Sequence, residues 1–120
     1  MVAKECTVHQ NYKNKILKAK DIDTIATGKR LGHPVRCLKN QFTRELFKQE
    51  YNSNISDEEL EKMGAGALRK AAKEGDEKNG SFMAGPCAAM GHKEQTAQEM
   101  IEEMFAQAEE ILNQANRFCK

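Results

Sequence analysis

Between Met63 and Met90 the chain reads MGAGALRKAAKEGDEKNGSFMAGPCAAM. Small residues at this density let one backbone approach another, or let a flat ligand lie directly against backbone. The run is interrupted by one charged patch and closes on Ser81-Phe82-Met83-Ala84-Gly85. Nothing else in the chain restricts its fold as strongly.

Around this stretch the residues read mostly as helix. Asn11 to Lys20 is helical, with Ile16, Leu17 and Lys20 near one face. Ile22 to Thr27 alternates apolar and polar residues as a half-buried strand does, and Pro34 to Leu38 reads as a second strand with Val35, Cys37 and Leu38 as the inward candidates. The two make a hairpin whose loop, Lys29-Arg30-Leu31-Gly32-His33, is bracketed by Gly28 and Gly32. A helix follows from Gln41 to Tyr51, with Phe42, Leu46 and Phe47 on one stripe and Glu50 on the other side. Ser56 and Glu59 form a capping box for a helix that runs through Met63, where Gly64 stops or bends it. Ala65 to Glu74 continues as helix, with Ala67, Leu68, Ala71 and Ala72 inward and Gly75 as its left-handed cap. Ser81 is expected to cap a short helix from Met83 toward Met90, with Pro86 in its first turn. Thr96 and Glu99 form a second capping box. It opens the longest helix, Ala97 to Arg117. Met100, Ile101, Met104, Phe105, Ala108, Ile111, Leu112 and Ala115 line a stripe there wide enough to bury a full face.

At 120 residues the chain holds one domain at most, and with 39% apolar residues, 6% aromatics and no Trp its core is thin. A thin core suits a piece that packs against a missing partner, and equally a small helical domain. The 19 basic and 18 acidic residues nearly cancel, so no large field draws nucleic acid. The N-terminal third is locally basic (Lys13, Lys15, Lys18, Lys20, Lys29, Arg30, Arg36, Lys39), which makes either a solvated surface or a face for an acidic partner. The four cysteines include no C-x-x-C pair, so no zinc site is expected; the thiols read as reduced, and Cys87 as a buried, inert thiol or one near a ligand. Without a signal peptide or long apolar run, a cytoplasmic chain with no membrane segment is expected. His9, His33 and His92 form no acid–base constellation, and Cys6 with His9 lacks a third, orienting group. Gly28-Lys29-Arg30 and Gly64-Ala65-Gly66 match neither glycine-rich phosphate motif.

The order of a GAGALR helix, an acidic Gly75-Asp76 turn and then GS-hydrophobic-MAG resembles the C-terminal part of the FMN-dependent enoyl-acyl-carrier-protein reductases. These enzymes sit within the nitronate monooxygenase (2-nitropropane dioxygenase-like) group. Val2-Ala3-Lys4-Glu5, His9-Gln10-Asn11-Tyr12-Lys13, Ile16-Leu17-Lys18-Ala19 and Asp23-Thr24 extend the resemblance. Gly32-His33-Pro34-Val35-Arg36, Leu38-Lys39-Asn40 and Thr43-Arg44-Glu45 carry it across nearly the whole chain and favour the reductase branch.

The resemblance implies an α+β, mostly helical fragment of an FMN-binding (β/α)8 TIM barrel, a fold of about 250 residues. Residues 1–21 would be the barrel's closing segment and helix, 22–92 an accessory hairpin and substrate-side helical cap, and 93–120 a C-terminal amphipathic helix. The family's catalytic histidine and phosphate-binding loops would precede Met1, so no catalytic residue is assigned here and the chain is expected to be inactive alone. Ser81, Met83, Ala84 and Gly85 would lie near the flavin, where small residues allow close approach, a helix N-terminus beneath Ser81 favours negative charge, and the Met83 thioether packs against an aromatic edge. NAD(P)H would be the co-substrate and an enoyl thioester, carried on acyl carrier protein, the substrate. The other branch would oxidise alkyl nitronates with dioxygen. The partner would be the missing barrel portion or a second copy of the chain. The sequence departs from the family at Pro86, where relatives carry Gln, and at Ala88-Ala89, where they carry Ala-Gly. A non-catalytic helical interaction module, using the Met100–Ala115 face, is the reading of another class.

Overall fold

A computed structural model describes residues 1–115. Helix α1 (Gln10–Leu17) leads into a hairpin of β1 (Thr24–Thr27) and β2 (Val35–Leu38), then α2 (Gln41–Glu50), α3 (Asp57–Gly64) and the short α4 (Ala67–Arg69), which widens into a π-turn over Lys70–Glu74. A 3-10 segment (Pro86–Met90) and α5 (Ala97–Asn113) complete the order. The result is α+β and mostly helical, as the sequence implies. The expected helix end at Arg117, and Cys119, lie outside the described residues.

The hairpin pairs antiparallel, Thr24 opposite Leu38 and Thr27 opposite Val35. Its β2 edge is covered by the small-residue stretch, because Met83 bridges Cys37 antiparallel. The Leu38 amide donates to the Phe82 carbonyl at 2.8 Å and the Ala84 amide to the Arg36 carbonyl at 3.1 Å. Tyr12, Leu38, Ala71 and Phe82 form the buried centre, with Val8, Ile16, Ala19, Ala72, Ala84 and Ala88 packed around it. Both expected capping boxes are present, Ser56 with Glu59 and Thr96 with Glu99. Gly75 is the left-handed cap (φ 65°), and a Cβ there would overlap the His9 ring.

Several local expectations are corrected. The helix α1 stops at Leu17 rather than Lys20, because the Asp23 carboxylate accepts from the Lys20 amide and ties a turn there. Val35 is exposed, since the bonds to the covering segment end at Arg36, whereas Cys37 and Leu38 are buried as expected. Glu50 is buried, not outward, because its carboxylate accepts from the Gly28 amide at the hairpin loop. Leu68 is exposed while Ala67 and Ala71 are buried, because residues 80–82 lie along the Ala67–Ala71 line. No helix begins at Ser81, which sits in extended chain; the helical turn starts only at Pro86. Cys87 is exposed rather than buried.

The chain does not close on itself. The radius of gyration is 17.9 Å, against about 14 Å for a compact domain of this size, and the body measures 58 × 37 × 19 Å.

Candidate functional site

The segment Ser81–Gly85 is held from below by a stack of specific contacts. Asp76 begins the turn that leads into it, accepting from the Asn79 side-chain amide and from the backbone of Lys78 and Asn79. These bonds, the Asn79 side chain first, hold the Asp76 carboxyl below its usual range. The Asn40 side chain donates to the carbonyls of Glu77 and Gly80 at 3.0 and 2.7 Å. At Gly80 the absence of a side chain is required: a Cβ would come within 2.8 Å of Ala71 backbone and 2.6 Å of the Asp76 carbonyl. Here the small residues serve backbone-to-backbone packing.

Phe82 then drops into the core against Tyr12, ring centroids 5.0 Å apart, with the Lys15 ammonium 5.2 Å from its ring centre. The Tyr12 hydroxyl donates to the Met83 carbonyl at 2.8 Å. Burial, chiefly, pushes the Tyr12 phenol up to about 12. Beneath the same segment the Ser81 hydroxyl lies 3.2 Å from the Cys37 sulfur, and burial pushes that thiol up as well. Ser81 therefore faces inward, and the helix N-terminus expected beneath it is absent.

Met83, Ala84 and Gly85 form the outer lip. Met83 and Ala84 are half-buried and Gly85 is exposed. Pairing with β2 turns the Met83 amide away from the sheet, and among the described residues neither it nor the Gly85 amide has a hydrogen-bond partner. A Cβ at Gly85 would meet only the Cys87 sulfur, at 3.6 Å, so this glycine is not explained by packing within the chain. Thus the structure brings three of the four expected residues onto one edge and turns the fourth beneath it.

Tyr12 and Asn40 are the supporting residues that the sequence reading missed. The spacing Tyr12, Ile16, Ala19 carries the signal for the first, since it marks a helical stripe that includes an aromatic. Asn40 three residues before Thr43 is an N-cap pattern, and the two side chains do cap α2 reciprocally. The histidines do not converge: His9 caps α1 by accepting from the Asn11 amide, while His33 and His92 are exposed. Among the described residues no group of three His, Cys, Asp or Glu is placed to hold a metal, and no helix is long and apolar enough to cross a membrane.

Beside the lip, the 3-10 segment and α5 enclose a groove of about 560 Å³ lined by Val2, Ala89, Met90, Met100 and Met104. The helix α5 is attached at its root: the Lys4 amide donates to Gln95, Glu5 accepts from the Ala97 amide, and Lys13 pairs with Glu94 at 2.7 Å. Beyond the root its apolar face is open.

The hairpin with its glycine-bearing lip and the uncovered face of α5 are the features that remain open on the chain's surface. Residues 1–107 match the sequence model of the family described as Nitronate monooxygenase, and the chain belongs to that family of flavin-dependent oxidoreductases. A probable nitronate monooxygenase of Staphylococcus saprophyticus is 30% identical over 114 residues, covering 94% of this chain and 31% of that protein. The structure of FabK from Thermotoga maritima superimposes with a TM-score of 0.90 at 34% identity, covering 98% of this chain and 37% of FabK. A second structure of that FabK, a point mutant, gives a TM-score of 0.79 at 31% identity, covering 98% of this chain and 34% of it. The chain thus spans about a third of the length of the relatives it matches. The lip suits a flat isoalloxazine ring as one wall only: Gly85 and Ala84 present no bulk and two amides are free to donate.

Proposed function

We propose that this chain acts as the C-terminal portion of a cytoplasmic flavin-dependent oxidoreductase that reduces enoyl thioesters with NAD(P)H, a reaction of the kind used in fatty acid biosynthesis. Residues 1–21 would join the barrel, 22–92 would cap the substrate side and 93–120 would supply the amphipathic helix. Met83, Ala84 and Gly85 would face the FMN ring, with Ser81 and Tyr12 fixing the lip from beneath. FMN, when bound, supplies the hydride carrier between the nicotinamide and the enoyl double bond. The chain's own part is to position backbone donors, exclude water from one side and leave room for a thioester. Carrying the proton and holding the flavin phosphate would fall to the barrel portion.

The observation that carries this reading is the lip, a strand-paired edge with two unpartnered amides and a glycine that internal packing does not require. The likeness to FabK supports the reductase branch. Nitronate oxidation is the second reading, favoured by the family match and the Staphylococcus relative.

The test is complementation. This chain is co-expressed with the barrel portion of a family member, purified and assayed. Retained flavin absorbance, with NAD(P)H consumption that depends on an enoyl thioester acyl carrier protein, is expected. Oxygen uptake driven by an alkyl nitronate instead would move the assignment to the other branch. Failure of the two chains to associate or to retain flavin would overturn the proposal.

A further inference from the structure

Asn79 is the only asparagine in the chain that precedes a glycine. Asparagine is a thermolabile side chain, and a following glycine removes the Cβ that would otherwise hinder close approach of its backbone nitrogen. The Gly80 nitrogen is therefore free, on steric grounds, to close on the Asn79 carboxamide carbon.

The fold holds this step in the turn that leads into the lip. The Asn79 side-chain amide donates to the Asp76 carboxylate at 2.8 Å, and the backbone amides of Lys78 and Asn79 donate to its other oxygen at 3.0 Å. These bonds, the Asn79 side chain first, are what keep the Asp76 carboxyl low. The Gly80 amide, whose nitrogen is the attacking atom, donates to the Asp76 carbonyl at 2.9 Å. From the other side the Phe42 amide donates to the Lys78 carbonyl, and the Asn40 side chain to the carbonyls of Glu77 and Gly80. The carboxamide is thus drawn back to Asp76 and the nucleophile is tied, although Asn79 itself is exposed to water. Hydrogen bonds, not burial, keep a reactive step out of its reactive geometry.

We propose that Asn79 is a deamidation site gated by the fold, closed while the turn is intact and open when the turn unfolds. In the reaction the Gly80 nitrogen gives up its proton and bonds to Asn79 Cγ. The Cγ–Nδ2 bond breaks, and ammonia leaves with that proton. Water then opens the cyclic imide at either carbonyl, giving an aspartate in the original backbone or one linked through its side chain. One water enters, one ammonia leaves, and no electrons are transferred.

Neither product fits the turn. An aspartate at this position sets a second carboxylate where the 2.8 Å hydrogen bond to Asp76 stood, and like charges at that range repel. The side-chain-linked product lengthens the backbone by one carbon beside Gly80, where even a Cβ would come within 2.8 Å of Ala71 backbone and 2.6 Å of the Asp76 carbonyl. Opening of this turn therefore becomes a one-way event that removes the support beneath Ser81–Gly85. The proposal does not rest on the flavin reading, because it uses the turn alone.

To test it, the full chain is held at mildly alkaline pH in buffer and, in parallel, in urea, and the peptide carrying Asn79 is followed by mass spectrometry. A gain of one mass unit there is expected in urea, and conversion in the folded chain should be slower by about tenfold or more. Once urea is removed, the converted fraction should unfold at a lower denaturant midpoint than untreated chain, and so should Asn79→Asp. Asn79→Ser keeps a hydroxyl donor for Asp76 and has no carboxamide to cyclise, so after the same time in urea it should refold completely. The rate comparison uses the parent chain, so it stands whatever the variants do. Equal rates in the two states, or no conversion in urea, would overturn the proposal. So would a converted chain that unfolds at the parent's midpoint, or loss of refolding in Asn79→Ser as fast as in the parent.

Discussion

The Tyr12–Phe82 core and helix α5 are built from similar materials and end in opposite states. Tyr12 and Phe82 are fully buried, whereas Phe105 is 73% exposed and Leu112 72%. By local criteria α5 is the better element: it is the longest helix, carries a complete capping box and has a continuous apolar stripe. Yet none of its residues is buried. The core segment has weak local signals and is fixed by contacts distant in sequence, from α1, β2 and the turn at Asp76. Helix-forming strength and burial are therefore separate properties. Local signals establish that a face exists and must be covered, and they are silent on what covers it. Large apolar side chains left in water along one helix forgo about 1.5–3 kcal/mol each relative to burial. That deficit separates α5 from the core.

Substitutions on the two sides measure the contrast. Phe82→Ala should have the largest effect, a loss of about 3–5 kcal/mol on denaturant unfolding, because it empties the centre of the core. Next comes Gly80→Ala, expected to cost about 1–3 kcal/mol by forcing the turn off Ala71. Gly85→Ala should leave the stability of the chain unchanged in the same experiment, since its Cβ meets nothing closer than 3.6 Å; a cost there as large as at Gly80 would erase the distinction between packing glycine and lip glycine.

Tyr12→Phe should cost about 1 kcal/mol, the worth of the hydroxyl bond to the Met83 carbonyl. It has a sharper signature in pH. The phenol titrates near 12 in the folded chain against an ordinary 10.0. Its contribution is fully present below pH 10 and is lost as the pH rises from about 10 through about 12, because the unfolded chain gives up the proton first. Cys37, also held up by burial, acts in the same direction from pH 9.0. Unfolding measured across this range should show a shallower alkaline decline in Tyr12→Phe than in the parent chain. The smallest effect is expected for Phe105→Ala, within about 0.5 kcal/mol of the parent. A cost rivalling Phe82→Ala would mean that α5 is covered in solution by another copy, and the contrast would fail.

Much of the fold was legible because it rests on short-range chemistry. Capping boxes at Ser56 and Thr96, the left-handed Gly75 and the antiparallel hairpin each depend on a few neighbouring residues. The errors share a cause. Glu50 looked solvent-facing because helical periodicity cannot anticipate a backbone amide arriving from the hairpin loop. Ser81 looked like an N-cap because its local pattern permits one, but Phe82 is pulled into the core and the segment extends to pair with β2. Leu68 looked inward until Ala67 and Ala71 took the line along which residues 80–82 lie. At the lip, the run of small residues was visible, but its division of labour was not: Gly80 serves the fold, whereas Gly85 is left over.

By itself, then, the sequence determined the helices and their caps, the hairpin, the amphipathic character of α5 and the kinship with flavin-dependent oxidoreductases, since these follow from neighbours within a few residues or from ordered motifs. Only the tertiary structure decided which faces were buried, because burial depends on surfaces brought from far along the chain. It turned Ser81 and Glu50 inward, set Tyr12 under Met83, and left α5 without cover.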